Sequence, residues 1–354
     1  MLNFLRPLLT LYDKDSFEVY AYSLTDRPDA ETDWLKTQVD VWRDVQGMAF
    51  ARLAEQIHRD EVDIIVDLAG HSAGNALPAL AYKPAPLAVS GLGYTATTGL
   101  KEVDYFLTDA VVDPPGVQGE QAGGHQQYFT ERLCYLPYQF CYQRADALPA
   151  SAGAPCLERS WLLFGVFNMY WKYTDEMLAA WREILVRIPG AKLLLKCQPF
   201  IDACCVEQAF ARLVRLGFDM DRVIFEPATS DYMQRYLDVD IALDTYPYPG
   251  GGTTCDALYM GVPVVTRYAS RRSTRFGLDM LAAAGLSDLA CSTMEEYVAK
   301  AVALANDKAF LHELHKQLRP LLSASPLMDG QGYVHEAERA YQRIWQRFSE
   351  DEEY

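Results

Sequence analysis

The sequence predicts an α/β protein built from two parallel-sheet units in tandem. Three observations lead there. A helix leading into a short, fully apolar strand occurs at Met48–Arg59 and Ile64-Ile65-Val66-Asp67-Leu68. The same alternation restarts with a strand at Trp161–Phe167, a helix after Thr174 and a strand at Leu193-Leu194-Leu195. Between the two runs, Pro149-Ala150-Ser151-Ala152-Gly153-Ala154-Pro155 has the composition of a linker. The length, 354 residues of which 50% are hydrophobic, suits two cores, since domains usually run to ~150 residues.

Each element has its own reason. Leu2, Leu5, Leu8 and Leu9 recur at helical spacing, so the chain opens in a helix. Phe17 to Tyr22 reads as a strand. The helix at 48–59 carries Leu53 and Ile57 on one face, and the strand after it runs into a turn, Gly70-His71-Ser72-Ala73-Gly74. Residues 112–160 read as irregular, broken by Pro114-Pro115-Gly116 and Gly123-Gly124. Thr174 is placed to cap a helix whose first turn holds Asp175 and Glu176. Met177, Leu178, Trp181, Leu185 and Ile188 line its apolar face, and Pro189-Gly190 ends it. Val223-Ile224-Phe225, Ile241-Ala242-Leu243 and Val262-Pro263-Val264-Val265 supply further strands. The predicted division is 1–155, 156–328, and a C-terminal helix with an acidic tail at 329–354. The tail, Glu350-Asp351-Glu352-Glu353, should be solvated and frayed. No repeat of ~34 residues is present, so a tetratricopeptide array is excluded from this chain.

Charge narrows the function classes. With 32 basic and 48 acidic residues the chain carries −16. This argues against a nucleic-acid partner, which needs clustered Lys and Arg, and against an anionic membrane surface. It leaves room for a phosphate held in one local pocket. The eight cysteines form no C-x-x-C pair, so they read as reduced thiols rather than zinc ligands. The start shows neither a basic region nor a cleavage site, and no apolar run approaches the ~20 residues of a membrane helix. The expectation is a soluble, cytoplasmic protein.

The densest chemical signal is the run from Leu243 to Leu258. A strand ends, Gly250-Gly251-Gly252 allow a tight turn, and a helix starts near Thr253. Free amides at a helix start, beside the hydroxyls of Thr253 and Thr254, suit a diphosphate. Asp256, placed in the first helical turn, suits a ribose. The plainer alternative is a Gly-rich loop with a Thr cap. Lys172 follows a strand in Phe167-Asn168-Met169-Tyr170-Trp171-Lys172, where open sheets bind ligands; alone it equally fits a surface lysine. Gly70-His71-Ser72-Ala73-Gly74 matches G-x-S-x-G, which makes Ser72 a candidate hydrolase nucleophile, although no oxyanion motif precedes it. His312-Glu313-Leu314-His315 reads as polar helix surface, and Asp238-Val239-Asp240 as strand-entry acids.

Taken together these stretches resemble the catalytic region of the O-linked N-acetylglucosamine transferases, in their bacterial Spindly-type branch. Asp67-Leu68-Ala69-Gly70-His71-Ser72-Ala73-Gly74-Asn75, Lys83-Pro84-Ala85-Pro86 and Leu92-Gly93-Tyr94-Thr95-Ala96-Thr97-Thr98-Gly99 are similar to the family's first blocks. Phe164-Gly165-Val166-Phe167-Asn168 with Lys172, and the run Ala242 to Thr266, are similar to its later ones. The match covers about residues 4–348. The resemblance implies the GT-B fold, two Rossmann-like lobes. It also implies inverting transfer from a nucleotide sugar to Ser or Thr of a protein or peptide acceptor, with no metal and no cofactor beyond the UDP-sugar donor. It makes Lys172 the holder of the diphosphate, with Gly251, Gly252, Thr253 and Thr254 cradling the phosphates and Asp256 on the ribose. Tyr232 and Met169 fall beside the donor. Gly93, Tyr94, Thr98 and Gly99 line the sugar and acceptor side, and His71 and Ser72 sit on the adjoining turn, His71 as a catalytic candidate.

The departures are specific. Met169 stands where animal members have Gln, Tyr232 where a His is usual, and Gly252 where a Thr is usual. Gly123-Gly124-His125 and Cys204-Cys205 read as insertions. Members begin this region with a strand and a His-bearing loop, so the resemblance implies a first lobe without its opening strand and an N-terminally truncated chain. Alternatives from other classes are transfer of glucose or fucose, an inactive nucleotide-binding fragment, a Ser72 hydrolase, and an interaction module that binds no nucleotide.

Overall fold

The computed structural model describes residues 2–116, 124–146 and 148–352. Met1, Gly123 of the Gly-rich insertion and Glu353 of the acidic tail lie outside them. The chain divides into two units, Met1–Gln143 with Asp329–Tyr354, and Arg144–Met328.

The first unit runs α1 (Leu2–Thr10), β1 (Tyr20–Ser23), α2 (Ala30–Lys36), β2 (Val41–Asp44), α3 (Phe50–Arg59), β3 (Ile64–Asp67), α4 (Leu77–Leu80), β4 (Leu87–Ser90), β5 (Tyr105–Thr108) and β6 (Arg132–Tyr135). The leucine spacing of α1 and the apolar face of α3 form as the sequence predicts. Strands β3-β4-β5-β6 make a parallel sheet, and β1 and β2 pair separately, also in parallel. Strand β6 lies inside the stretch that the sequence presents as irregular. It is an edge strand whose two ends are exposed, and its short run Leu133-Cys134-Tyr135-Leu136 stands between the Gly-rich and Pro-rich breaks of that stretch.

The second unit runs β7 (Leu163–Val166), α5 (Asp175–Arg187), β8 (Lys192–Lys196), α6 (Ala203–Arg215), β9 (Val223–Glu226), α7 (Tyr232–Arg235), β10 (Ile241–Leu243), α8 (Gly252–Tyr259), β11 (Val264–Arg267), α9 (Phe276–Ala283), β12 (Ala290–Cys291), α10 (Met294–Asn306) and α11 (Lys308–Ser323). Its six strands lie in the order β12-β11-β10-β7-β8-β9. All pairings are parallel. Thr174 caps α5 through the Met177 amide, and Met177, Leu178, Trp181 and Ile184 are fully buried, Trp181 hydrogen-bonding Tyr297 of α10. The order reverses between β7 and β10. In an open parallel sheet, ligands bind off the carboxyl ends of the strands at such a reversal.

The unit boundaries differ from the sequence reading at two places. The segment 149–155, read as a linker, is held to the second unit at both ends: Arg319 donates to the Leu148 and Pro149 carbonyls, and the Cys156 amide donates to Asp240. The final helix, α12 (Gly330–Glu352), belongs to the first unit. It buries Tyr333, Val334, Ala340 and Ile344 in one core with Leu87, Val89, Tyr105 and Leu107. A second correction concerns His315, which is not polar surface. It is buried, its Nε2 lies 2.7 Å from the Asp240 carbonyl, and its Nδ1 lies 3.2 Å from Ser151 Oγ. Helix α11 turns this position inward with Leu311, Leu318 and Leu322. Asp240 is a strand-entry acid as expected, accepting from the Leu163 amide and Arg159.

Candidate active site

At the reversal point, β10 delivers Asp244 into the interior, 2% exposed. Its Oδ1 accepts from Asn168 Nδ2 at 3.0 Å, the Thr245 amide at 2.8 Å and the Gly250 amide at 2.6 Å. Its Oδ2 accepts from Thr266 Oγ1 at 2.8 Å. Burial pushes this carboxyl up, and the donors, with Lys172 nearby, pull against that. Its main-chain carbonyl takes Tyr297 Oη at 2.9 Å, and Tyr297 in turn accepts Trp181 Nε1. Asn168 carries the network onward, since Thr253 Oγ1 donates to Asn168 Oδ1 at 3.2 Å. Asp244 therefore ties the ends of β7 and β10, strand β11 and the Gly-rich loop to one point.

Helix α8 starts at Gly252, with Gly251 as its N-cap and no side chain capping it. The Thr254 and Cys255 amides bond the Gly251 carbonyl, and the Gly252 and Thr253 amides at the helix start have no backbone partner among the described residues. Two details depart from the sequence reading. Asp256 lies one residue past the first turn, because the helix begins at Gly252 rather than Thr253. Thr254 is buried and Thr253 gives its proton to Asn168, so the backbone is the surface this loop presents. Gly250 is the glycine that space demands. A Cβ there would stand 2.4 Å from Thr253 Oγ1 and 2.7 Å from Thr254 Oγ1, whereas one at Gly252 would meet nothing within 4 Å.

Lys172 ends a 3₁₀ turn, Tyr170–Lys172, that starts after Met169 and is closed by the Lys172 amide on the Met169 carbonyl. Its Nζ donates to the Pro249 carbonyl at 3.0 Å and lies 4.1 Å from the Tyr248 ring centroid. Burial lowers its pKa below the usual 10.5, and Asp244 opposes the shift. The ammonium is thus anchored to the Gly-rich loop itself.

Asp256 is buried and held from two sides. Arg144 Nη1 donates to Oδ1 at 3.2 Å, and Tyr232 Oη donates to Oδ2 at 2.8 Å. Burial and then the Asp256 charge push the Tyr232 hydroxyl up to about 12, so it stays protonated and donating.

The first unit gathers the remaining candidates. Asp67, at the end of β3, accepts the Ala69 and Gly70 amides and Ser90 Oγ. Gly70 has φ +52, and a Cβ there would overlap Tyr94, 2.3 Å from its Cβ. His71 is exposed, its ring 5.4 Å edge-on from Tyr94, and its Nε2 lies 2.9 Å from the Thr98 carbonyl. Leu92, beside Gly93 and Tyr94, has φ 67, a left-handed conformation that a branched side chain adopts at a cost. Thr98 is buried, and Gly99 has φ +73. Ser72 lies in a run of turns, Ala69 to Asn75, closed by the Ser72 and Asn75 amides. A strand-to-helix elbow would put the serine at the helix start. Here α4 begins at Leu77 and has four residues.

The structure thus groups Lys172, Met169, Gly251, Gly252, Thr253 and Thr254 in the second unit, with Asp256 and Tyr232 paired there, and His71, Gly93, Tyr94, Thr98 and Gly99 in the first. Asp244, Asn168, Arg144 and Glu131 were not singled out by the sequence. Asp244 sat inside the Gly-rich run, but only its burial distinguishes it from a loop acid. No group of His, Cys, Asp or Glu suited to a metal ion occurs among the described residues, and none of their helices is long and apolar enough to cross a membrane.

Residues 4–147 and 154–337 match Glycosyl transferase family 41. A protein of Solanum lycopersicum described as a probable UDP-N-acetylglucosamine–peptide N-acetylglucosaminyltransferase SPINDLY is 37% identical over 356 residues, which are 98% of this chain and 37% of that protein. The chain therefore spans little more than a third of the length of such curated relatives. The structure of a Thermobaculum terrenum O-GlcNAc transferase mutant superimposes with a TM-score of 0.89 at 34% identity, covering 98% of this chain and 65% of that one. Anabaena Alr3699/HepE, solved with UDP and glucose, shares the fold at 14% identity with a TM-score of 0.56, covering 92% and 91% of the two chains.

Proposed function

The chain belongs to glycosyl transferase family 41, and from that premise we propose that it moves N-acetylglucosamine from UDP-N-acetylglucosamine to Ser or Thr hydroxyls of a protein or peptide, with inversion. Its fold is α/β of the GT-B class, with a Rossmann-like sheet in each unit. The observation that carries the reading is the pairing of Lys172 with an uncapped helix start: the ammonium hydrogen-bonds the Pro249 carbonyl of the loop that leads into α8.

In this reading the acceptor oxygen attacks the anomeric carbon and the bond to the β-phosphate breaks. UDP leaves with the electron pair, and Lys172 and the α8 amides take up the added charge. Preorganised donors aimed at developing charge are the larger part of such catalysis. Asp256, steadied by Arg144 and Tyr232, would hold the ribose. In the first unit His71 is the proposed acceptor of the hydroxyl proton. Its Nε2 faces a carbonyl oxygen, which can only accept, so the lone pair falls on Nδ1. Gly93, Tyr94, Thr98 and Gly99 would line the sugar and acceptor side. Solubility in the cytoplasm and the lack of nucleic-acid or membrane partners belong to the same proposal, supported by the −16 charge.

Calorimetric titration with UDP tests the donor site. Micromolar binding by the chain, lost in Lys172→Ala, is the expected outcome. Absence of binding by the unaltered chain overturns the reading, and a fluorophosphonate label on Ser72 would revive the hydrolase.

A further inference from the structure

We infer that Glu131 is the residue that positions His71, acting through the turn Thr97–Gly99. Glu131 follows β5 in the chain and immediately precedes β6; it is 1% exposed, yet among the described residues no cation pairs with it. A buried carboxylate without a counter-ion is costly unless its lone pairs are used. Here all of its bonds go to one turn. Oε1 accepts the Thr98 amide at 2.7 Å and the Thr98 hydroxyl, and Oε2 accepts the Thr97 hydroxyl at 2.6 Å. The turn is then closed on itself, with the Gly99 amide on Thr97 Oγ1 and the Leu100 amide on Thr98 Oγ1.

The consequence falls on His71. With its amide and hydroxyl both fixed by Glu131, Thr98 presents its carbonyl in one direction, and that carbonyl takes His71 Nε2 at 2.9 Å. This sets the tautomer: the proton is on Nε2 and the lone pair on Nδ1. Nδ1 has no hydrogen-bond partner among the described residues. The ring is steadied further by its edge contact with Tyr94. A base held in one tautomer by a carbonyl needs that carbonyl to be immobile. Glu131 supplies the immobility from beneath, so it is a positioning residue and touches no substrate. The inference rests on His71 acting as the proton acceptor.

The test uses the full chain, labelled with ¹⁵N. A long-range ¹H–¹⁵N correlation spectrum reports which imidazole nitrogen carries the proton, and loss of the signal in His71→Asn assigns it. The expected wild-type spectrum shows His71 protonated on Nε2, and Glu131→Gln converts it to a mixture of tautomers. In a peptide transfer assay Glu131→Gln should lower kcat about tenfold while UDP affinity stays within about twofold, the size of effect that misplacing a catalytic group produces. On the His71→Asn background the same change should cost less than about twofold. An unchanged tautomer in Glu131→Gln, or an equal loss on both backgrounds, overturns the positioning role. Full kcat in His71→Asn overturns the base assignment instead, and the two failures are told apart by that single variant. If Glu131→Gln does not fold, Thr98→Val and Thr97→Val remove the two hydroxyl bonds singly and keep the Thr98 amide bond, and a spectral change in the same direction is expected.

Discussion

The carboxylate of Asp244 accepts the amide of Gly250 at 2.6 Å, six residues further along the chain. That bond folds the loop back on the strand end, two residues before α8 starts. It also explains which glycine the loop needs. The side of Gly250 where a Cβ would go is filled by Thr253 Oγ1, Thr254 Oγ1 and Asp244 Oδ1.

Gly250→Ala should therefore destabilise the second unit by about 1–3 kcal/mol, the usual cost of overpacking, and abolish UDP binding. Gly252→Ala meets open space, so its stability should stay within about 0.5 kcal/mol of the parent. It adds a methyl where a diphosphate would approach, so its UDP affinity should still fall. Thermal melts and calorimetry on both variants check this. Equal stability of the two would mean that the loop packs differently.

Nucleotide binding should weaken with rising pH sooner than for an exposed lysine. Burial lowers the Lys172 pKa below 10.5, so its ammonium is lost earlier as pH rises. Affinity for UDP is expected to hold near neutrality and decline on the alkaline side. Lys172→Ala should bind weakly and lack that decline. A calorimetric series from about pH 7 to 10 would show it, and an identical slope in Lys172→Ala would assign the effect elsewhere.

Tyr232→Phe should loosen the ribose end of the site. It removes the donor to Asp256 Oδ2, a loss of about 1 kcal/mol or roughly fivefold in UDP affinity. Arg144→Ala removes the charged donor to Asp256 Oδ1 and should lower UDP affinity further than Tyr232→Phe does, because hydrogen bonds to charged groups are the stronger ones. Neither change should alter affinity for a 2′,3′-dideoxy analogue of UDP as much as for UDP itself. Parallel losses for both nucleotides would show that Asp256 does not read the hydroxyls.

The parts legible in the sequence are those that rest on local periodicity. The apolar runs of β3, β7, β8 and β10 and the capped, one-faced α5 announce themselves in any window of ten residues. The Gly-rich loop and Lys172 were visible as types at strand ends. Less legible was whatever depends on a distant partner. Edge strand β6 is only four residues long, and its pairing with β5 is not visible in its own residues. His315 looked like surface because nothing local shows that Asp240 and Ser151 meet it. Glu131 and Arg144 are ordinary charged residues until Thr98 and Asp256 are seen beside them.

Acid should unfold the two units through different groups. In the first unit Arg43 hydrogen-bonds Asp60, joined by Tyr22 and Gln56, and these bonds hold the carboxyl down at about 2 against an ordinary 3.8. The folded carboxyl binds a proton less readily than the unfolded one, so the stabilisation is complete above 3.8 and lost as pH falls toward 2. In the second unit burial lowers His315 below 6.5, with the Asp240 carbonyl opposing. Folded His315 also resists the proton, so the stability present above 6.5 declines as pH falls below that value. Chemical denaturation at a series from about pH 8 to 3 should show a first loss below 6.5 and a second below 3.8. His315→Gln should remove the first and leave the second, and Asp60→Asn should leave the first and shrink the second, to which Asp40 also contributes. A first loss that survives in His315→Gln would mean that another group takes up that proton.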